Sequence, residues 1–371
     1  MQQTIIIGGG IIGLAIAEKL SSDSNRNVTV VDHCNVANTA SWAAAGVLPP
    51  PLKNAKTDPL EQLRQLAHPR YDTWVSLLES ASGIDLELQN CGGLYIANRP
   101  GEVAALRAAV AEWQFYGVDI QEVPLDSLAE FEPPLRPLQP PAAVFFSPEE
   151  KLVRPNRILK ALRAILDQRS NVVRLENVRA TSVRKTSDQR LAVHTSHDVM
   201  TADQVCVATG PWALELLADY GMPPLYVEAR RGQMIMWQLE QPLVRHVINE
   251  GPRYLFARTD GLLLAGSTVE EEQFNCSTTD AGIAELTDFA VRLVPELARH
   301  YIVKSWAGLR PSCHDGAPYI GALKSLPNCF VAAGHFRSGI HLAAITAECL
   351  AAVMSDETPP IEMSPYDPLR P

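Results

Sequence analysis

The sequence has little of what marks a disulfide-rich, membrane-spanning or nucleic-acid-binding protein. Its 7 cysteines are scattered along 371 residues without a Cys-x-x-Cys pair, and this odd set predicts reduced thiols, not a disulfide framework or a metal site. No apolar run approaches the ~20 residues that a membrane span needs. The net charge of −10 leaves no basic stripe for phosphates, so we expect neither a nucleic-acid surface nor an anionic-membrane surface.

Internal repeats and low-complexity segments are also missing from the sequence. Hydrophobic residues make up 46% and charged residues 20%, which is typical of a folded globular protein, and the length indicates roughly two domains. Met1 leads directly into the first predicted strand, which indicates no signal peptide and, as the default, a cytoplasmic location.

A glycine motif stands at the start of the chain. The isoleucines at 5–7 run into Gly8-x-Gly10-x-x-Gly13, and a small-residue helix is predicted over 11–20. Gly8 allows a tight turn, Gly10 lets backbone amides approach a pyrophosphate, and Gly13 lets the helix pack close to the strand. The positive end of the helix dipole then faces the phosphates.

A second strand is predicted at 28–31, and Asp32 follows it about 20 residues after the glycines, where a carboxylate binds ribose hydroxyls. These features predict a βαβ unit that binds a dinucleotide. They leave open which dinucleotide binds and for what chemistry.

Elsewhere the hydrophobic pattern mixes helices and strands. The pattern predicts a buried strand at 205–210, which places Thr209 and Gly210 at the carboxyl edge of a sheet. It predicts another strand at 329–333. A strand pair is predicted at 86–98, a hairpin region at 172–194 and an antiparallel sheet at 228–268. Helices are predicted at about 59–82, 101–117, 154–167, 280–300 and 338–354.

Three further segments, together with the glycine motif, resemble the D-amino-acid oxidase-like family of FAD-dependent amine oxidoreductases. They are 39–48, with Ala-Ala-Ala-Gly, 208–212, Ala-Thr-Gly-Pro-Trp, and 334–340, Gly-His-Phe-Arg-Ser-Gly-Ile. A narrower likeness, to the glycine oxidases of thiamine biosynthesis, is carried by 306–311, 315–321 and 332–340. The resemblance extends over essentially the whole chain.

The resemblance implies an α/β fold, α+β overall, in two domains. A Rossmann-like FAD-binding domain would be assembled from the discontinuous segments 1–86, 147–221 and 304–371. An antiparallel-sheet substrate domain would be formed by 87–146 and 222–303.

The resemblance also implies which residues bind FAD. Ile11 and Ile12 would line the pyrophosphate turn, Asp32 and His33 would bind the ribose, and the Val178 backbone would hold the adenine. The expected contacts are Gly8, Gly10, Ile11, Ile12, Gly13, Asp32, His33, Ala40, Ser41, Ala45, Gly46, Val47, Val178, Thr209, Gly210, Gly334, His335, Phe336, Arg337, Ser338, Gly339, Ile340 and His341.

The implied reaction is oxidation of a small amino acid. Its α-hydrogen would move as hydride to flavin N5, O2 would reoxidise the flavin to give hydrogen peroxide, and the imine would be hydrolysed or passed to thiazole synthase. A planar guanidinium binds a carboxylate through two hydrogen bonds, which favours Arg310 as the main contact, with Arg337 second and Tyr254 as a hydroxyl donor. No catalytic acid or base and no metal are required, so His335 and His341 are expected only to pack or hydrogen-bond.

Some residues depart from the family pattern. The stretch 47–52 is rich in proline, and Val269 stands where a methionine can line the pocket of a relative. These departures leave glycine, sarcosine and small D-amino acids open as substrates. Cys313 lies too close to Asp315 to match the cysteine that carries covalent flavin in sarcosine-oxidase-like relatives, so we expect non-covalent FAD. We also expect a homo-oligomer.

The sequence leaves three alternative functions to be compared with this one. A sarcosine oxidase or a D-amino-acid dehydrogenase could use the same scaffold, although the dehydrogenase needs a membrane-docking surface that no basic amphipathic segment supplies. An NAD-dependent oxidoreductase is compatible with Asp32 but not with the C-terminal glycine turn. A non-catalytic flavin-binding protein has no need of Arg310 and Arg337.

Overall fold

The computed structural model describes residues 1–33, 40–133, 135, 140–217, 227–271 and 274–370. Cys34, Thr39 of the segment 39–48, and the expected domain boundary at 221–222 lie outside the described residues. The helices are α1 Ile11–Leu20, α2 Ala40–Ala43, α3 Pro59–Ser82, α4 Pro100–Phe115, α5 Leu128–Phe131, α6 Pro155–Asp167, α7 Ala213–Leu217, α8 Asp280–Leu293 and α9 Gly339–Met354.

The strands form two large sheets and two small ones. They are β1 Gln2–Ile7, β2 Arg26–Asp32, β3 Val47–Leu48, β4 Gly93–Ala97, β5 Gln121–Glu122, β6 Ala143–Ser147, β7 Lys151–Leu152, β8 Val172–Glu176, β9 Ala180–Lys185, β10 Leu191–Thr195, β11 Val199–Ala202, β12 Gln204–Val207, β13 Val227–Gln238, β14 Val247–Glu250, β15 Arg253–Ala257, β16 Leu262–Gly266, β17 Ile302–Cys313, β18 Tyr319–Ala322 and β19 Cys329–Ala333.

The first large sheet carries the dinucleotide motif. Its strand order is β18-β19-β12-β1-β2-β8, and every pair is parallel except β18 with β19. Ile5 on β1 lies between Val205 on β12 and Thr29 on β2. Strands from the beginning, middle and end of the sequence therefore meet in one sheet, which confirms the α/β fold and the discontinuous assembly expected from the sequence.

The second large sheet has the order β17-β13-β16-β15-β14-β4-β6-β5, and it is antiparallel except for β14 with β4. Its edge strand β17 pairs along β13 from Ile302 to Cys313 and so crosses the expected boundary at residue 304. The sheet groups 304–313 with the second unit, and the exact division into domains stays a proposal.

Helix α9 packs against α1 in the core of the first unit. The segment Phe336–Met354 is long and apolar enough to cross a membrane, but 72% of its apolar window is buried inside the protein. That burial is the environment of a core helix.

Three local predictions were wrong in part. The strand pair at 86–98 is one strand, β4, preceded by an isolated bridge from Gln89 to Leu152. The helix at 280–300 ends at Leu293, because Pro295 disfavours the α conformation at Val294 and opens a 3₁₀ turn. The hairpin region divides, since β8 joins the parallel sheet beside β2 while β9, β10 and β11 form a separate antiparallel sheet.

Candidate active site

A cavity of about 620 Å³ lies where the carboxyl ends of the parallel strands face the second large sheet. The first unit contributes residues that follow β1, β2 and β12, and the second contributes side chains from β15 and β17. Ligands in open α/β sheets bind at this carboxyl edge. The cavity is therefore the candidate site for both the dinucleotide and the substrate.

Most of the residues expected from the sequence line this one cavity. Four do not, and they are Gly13, Gly334, Ser338 and His341. The expected residues that line it are Gly8, Gly10, Ile11, Ile12, Asp32, His33, Ala40, Ser41, Ala45, Gly46, Val47, Val178, Thr209, Gly210, Tyr254, Arg310, His335, Phe336, Arg337, Gly339 and Ile340.

The glycine turn has the close packing that the motif requires. Gly8 has φ +118°, and a Cβ there would lie 2.3 Å from the Ala208 carbonyl oxygen. A Cβ on Gly13 would lie 1.9 Å from the Gly8 carbonyl oxygen, so Gly13 packs helix to strand and does not face the cavity. At Gly10 the nearest atom would be Ser41 Oγ at 3.3 Å, which leaves the start of α1 open to a ligand.

The polar groups of this region fit a dinucleotide. Thr209 Oγ1 is buried in the cavity wall and has no hydrogen-bond partner in the described part of the chain. Gly210 has φ +59°, and a Cβ there would meet nothing within 4 Å. The Val178 amide donates to the Asp32 carbonyl oxygen at 2.9 Å, which holds this residue of the cavity wall beside the end of β2. A buried hydroxyl without a partner is the state expected of a group that a bound ligand satisfies.

The small residues of 43–46 allow the two units to approach closely. A Cβ on Gly308 of β17 would lie 2.6 Å from Ala43 Cβ, and Trp306 Nε1 donates to the Ala43 carbonyl oxygen at 3.1 Å. Arg258 donates to the Ala45 carbonyl oxygen at 2.6 Å. Larger side chains at these positions would push the two units apart or fill the adjoining part of the cavity.

Arg310 and Arg337 form the cationic part of the cavity. Arg310 lies across Gly232 and donates to Ser267 Oγ at 2.5 Å and to the Thr268 carbonyl oxygen at 3.3 Å. The Arg337 side chain makes no hydrogen bond to any other described residue, and neither arginine forms an ion pair with a carboxylate in the described ranges. Burial, and then the charge of Arg310, lower the pKa of Arg337. Two guanidiniums without a counter-charge favour a bound anion.

Tyr254 lies beside this pair. Its hydroxyl donates to Met234 Sδ at 3.3 Å, and a Cβ on Gly266 would lie 2.0 Å from the same sulfur. Gly266 therefore makes room for both side chains. The register places Gly266 opposite Tyr254 on β15 and opposite Met234 on β13, so all three positions face the cavity side of the sheet.

The comparisons with known proteins agree with this geometry. A family model described as FAD dependent oxidoreductase matches residues 3–353. The chain belongs to this family. It is therefore an FAD-dependent oxidoreductase, and the cavity is the candidate site for its cofactor and substrate.

Similar members of the family extend over the whole chain. A glycine oxidase from Pseudomonas aeruginosa is 32% identical, with 99% of this chain and 98% of that protein covered. The bifunctional protein ThiO/ThiG from Synechocystis is 31% identical, with 95% of this chain and 51% of that protein covered. The crystal structure of a glycine oxidase from Geobacillus kaustophilus is 26% identical with a TM-score of 0.92, and both chains are 100% covered.

The two histidines near this candidate FAD site are held by other side chains. His335 Nε2 lies 3.0 Å from Thr346 Oγ1, and burial lowers the pKa of His335 to about 3. His341 Nε2 lies 3.2 Å from His68 Nδ1, and burial lowers the pKa of His341 well below its ordinary value. Both rings are neutral near pH 7, and their partners are protein groups.

Cys313 and Val269 stand away from the cavity lining. The Cys313 thiol packs against Gly334, where a Cβ would lie 1.9 Å from the sulfur, and burial raises the pKa of this thiol to about 12. Val269 is 46% exposed. Neither side chain contributes to the wall around Arg310 and Tyr254.

Sequence reasoning missed a second polar region of the same cavity. Glu150 is 1% exposed and accepts hydrogen bonds from the Tyr95 hydroxyl and from Asn249 Nδ2, the latter at 3.1 Å. Desolvation raises the pKa of Glu150 to about 7. The three residues come from separate parts of the sequence, so only the sheet register places them together.

The missed lining residues also include an arginine and two aromatic rings. Arg64 of α3 lines the cavity and donates to Glu61 Oε1 at 2.7 Å. Trp212 lies 5.8 Å from Phe274 and 5.9 Å from His33, measured between ring centroids. Trp212 belongs to the segment 208–212, and its aromatic character was the available signal.

The raised pKa of Glu150 predicts a pH-dependent stability. The folded protein binds the Glu150 proton more tightly than the unfolded chain does. The contribution of this proton to the free energy of unfolding is therefore complete below about pH 4.5 and is lost as the pH rises through about 7. Between pH 5 and 8 we expect wild type to lose about 2–3 kcal/mol more unfolding free energy than Glu150→Gln, measured by urea denaturation. The control variant is Glu149→Gln. Glu149 is the sequence neighbour of Glu150 and forms a partly exposed ion pair with Lys53, so this variant should keep the wild-type profile. If the unfolding free energies of wild type and Glu150→Gln changed in parallel with pH, the raised pKa of Glu150 would be contradicted.

Proposed function

We propose that the protein oxidises a small amino acid, with glycine, sarcosine and small D-amino acids as the substrate class. The observation that supports this most strongly is the pair Arg310 and Arg337, which lines the FAD site without a carboxylate partner in the described part of the chain. A substrate carboxylate supplies that missing charge. The similarity to glycine oxidases favours the same class.

In this proposal the side chains bind and orient the substrate. Arg310 is held by Ser267 and the Thr268 carbonyl, so its remaining N–H groups are fixed for a carboxylate. Arg337 adds a second positive charge, and the Tyr254 hydroxyl can turn from the weak acceptor Met234 Sδ to a substrate oxygen. Bound FAD supplies the hydride acceptor.

No side chain in the proposal takes or gives a proton. His335 and His341 are neutral and held by Thr346 and His68, which leaves them to pack around the site. The substrate amine therefore has to be neutral when its α-hydrogen leaves as hydride.

The wider setting of the reaction is also part of the proposal. We infer non-covalent FAD, since Cys313 lies outside the cavity lining, and O2 as electron acceptor with hydrogen peroxide as product. Similarity to the bifunctional ThiO/ThiG protein favours supply of the imine to thiazole formation. A cytoplasmic location and a homo-oligomeric state complete the proposal.

A substrate panel tests the proposed activity. The purified protein is expected to be yellow and to release its flavin on acid precipitation, as non-covalent binding requires. Glycine, sarcosine, D-alanine and D-proline are then added separately, with flavin absorbance and peroxide followed. At least one should bleach the flavin without oxygen and yield peroxide with it. A flavin that none of the four reduces would refute the assignment, and reduction without peroxide would favour a dehydrogenase.

Arg310→Ala tests the carboxylate contact. Loss of a charge-assisted contact costs about 2–5 kcal/mol, so we expect a large rise in KM with FAD still bound, measured by steady-state peroxide formation and flavin content. Arg230 is the cross-strand neighbour of Arg310 and forms ion pairs with Glu228 and Glu271 away from the cavity, so Arg230→Ala should leave KM unchanged. An unchanged KM in Arg310→Ala would remove Arg310 from the site.

A further inference from the structure

The cavity has a second polar end, made by Glu150, Tyr95 and Asn249. Asn249 on β14 is the register partner of both Tyr254 on β15 and Tyr95 on β4, so these three side chains stand in one row on the same face of the sheet. A Cβ on Gly93 would lie 2.1 Å from Glu150 Oε2, which shows that the Glu150 carboxylate rests on this face above β4. Tyr95, Glu150, Asn249 and Tyr254 all line the cavity.

The Glu150 carboxylate has hydrogen bonds but no counter-ion. Its partners are the Tyr95 hydroxyl and the Asn249 amide, and no cationic side chain lies within ion-pair distance among the residues that the structure describes. Arg64, the arginine in the same wall, is already paired with Glu61. A carboxylate that is 1% exposed and lacks a cation is costly unless a bound group supplies the positive charge. The raised pKa of Glu150 agrees with this cost.

The distance between Arg310 and Glu150 determines how long a ligand must be to contact both residues. The Arg310 guanidinium lies above Gly232 on β13 and contacts Ser267, whereas Glu150 lies between β4 and β14. Strand β13 is three strand spacings from β14 and four from β4, so roughly 14–19 Å along the sheet separate the positions of the two charged groups. Glycine bound at Arg310 is too short to bridge them. An amino acid with an extended chain and a terminal ammonium group reaches further toward Glu150.

We propose that Glu150, with Tyr95 and Asn249, forms a recognition site for a positively charged group at the far end of the substrate. The substrate class then includes amino acids with a distal ammonium group, carried on the α-carbon or on the nitrogen, besides glycine itself. A second carboxylate at that end is disfavoured. This inference rests on the proposed function, since it takes the carboxylate to bind at Arg310.

Matched pairs of ligands test the proposal on the FAD-loaded enzyme. D-Lysine is compared with D-norleucine and D-2-aminoadipate, and N-(2-aminoethyl)glycine with N-propylglycine and iminodiacetate. Dissociation constants come from the change in flavin absorbance without oxygen, and kcat/KM comes from peroxide formation. In at least one set the cationic member should bind at least about tenfold more tightly than the neutral member, with the anionic member weakest. Equal binding in both sets, or strongest binding of the anionic member, would overturn the proposal.

Variants separate recognition from a structural role of Glu150. In Glu150→Gln the preference for the cationic over the neutral ligand should fall to within about threefold, while the dissociation constant for glycine stays near the wild-type value. Glu149→Gln makes the same charge change outside the cavity and should keep the full preference. Equal weakening of glycine, neutral and cationic ligands in Glu150→Gln would show that Glu150 only supports the sheet.

The wild-type measurements keep the proposal testable if Glu150→Gln does not fold. They also distinguish its failure from that of the proposed function. If glycine, sarcosine and the D-amino acids all leave the flavin oxidised, the proposed function fails. If glycine or another small substrate reduces the flavin but no cationic ligand is preferred, only the recognition by Glu150 fails.

Discussion

One buried arginine joins the two parts of the site. Arg258 is 3% exposed and donates to the carbonyl oxygens of Ala45 and Val153, at 2.6 Å and 2.8 Å. Burial lowers the pKa of Arg258 to about 10, and its guanidinium lies 4.9 Å from the Phe256 ring centroid. These bonds fix the small-residue segment 43–46 against the second large sheet. The spacing between the two sheets, and therefore the shape of the cavity, depends on this contact.

Charge is distributed unevenly within that cavity. Arg310 and Arg337 give one region two positive groups, while Glu150 gives another a buried carboxylate. The neutral side chain of Tyr254 lies between them along the sheet, with its register partner Asn249 on the Glu150 side. In a low-dielectric site such fixed charges orient a ligand strongly. This arrangement of side chains favours the binding and orientation of a ligand. The redox chemistry is supplied by FAD, the cofactor of the family.

The sequence predicted best those elements that depend only on residues close together in the chain. The glycine turn at 8–13, the strand at 329–333 and helix α9 were predicted because each depends on short spacing and apolar pattern. Arg310, Arg337 and Tyr254 were chosen by resemblance, and the structure brings them to one cavity. Glu150, Tyr95 and Asn249 could not be predicted, since only the non-sequential strand order β15-β14-β4-β6 places them together. The end of α8 was missed because one proline, Pro295, outweighed the helical pattern.

We propose that the cavity binds FAD and a carboxylate together, with the carboxylate on Arg310 and Arg337. A crystal structure of the FAD-loaded protein with a small carboxylate inhibitor tests this most directly. We expect the pyrophosphate at the start of α1, the flavin ring beside 43–46, and the inhibitor carboxylate within hydrogen-bond distance of the Arg310 guanidinium. A flavin in this position with the carboxylate bound elsewhere, and Arg310 without contact to it, would contradict this binding mode.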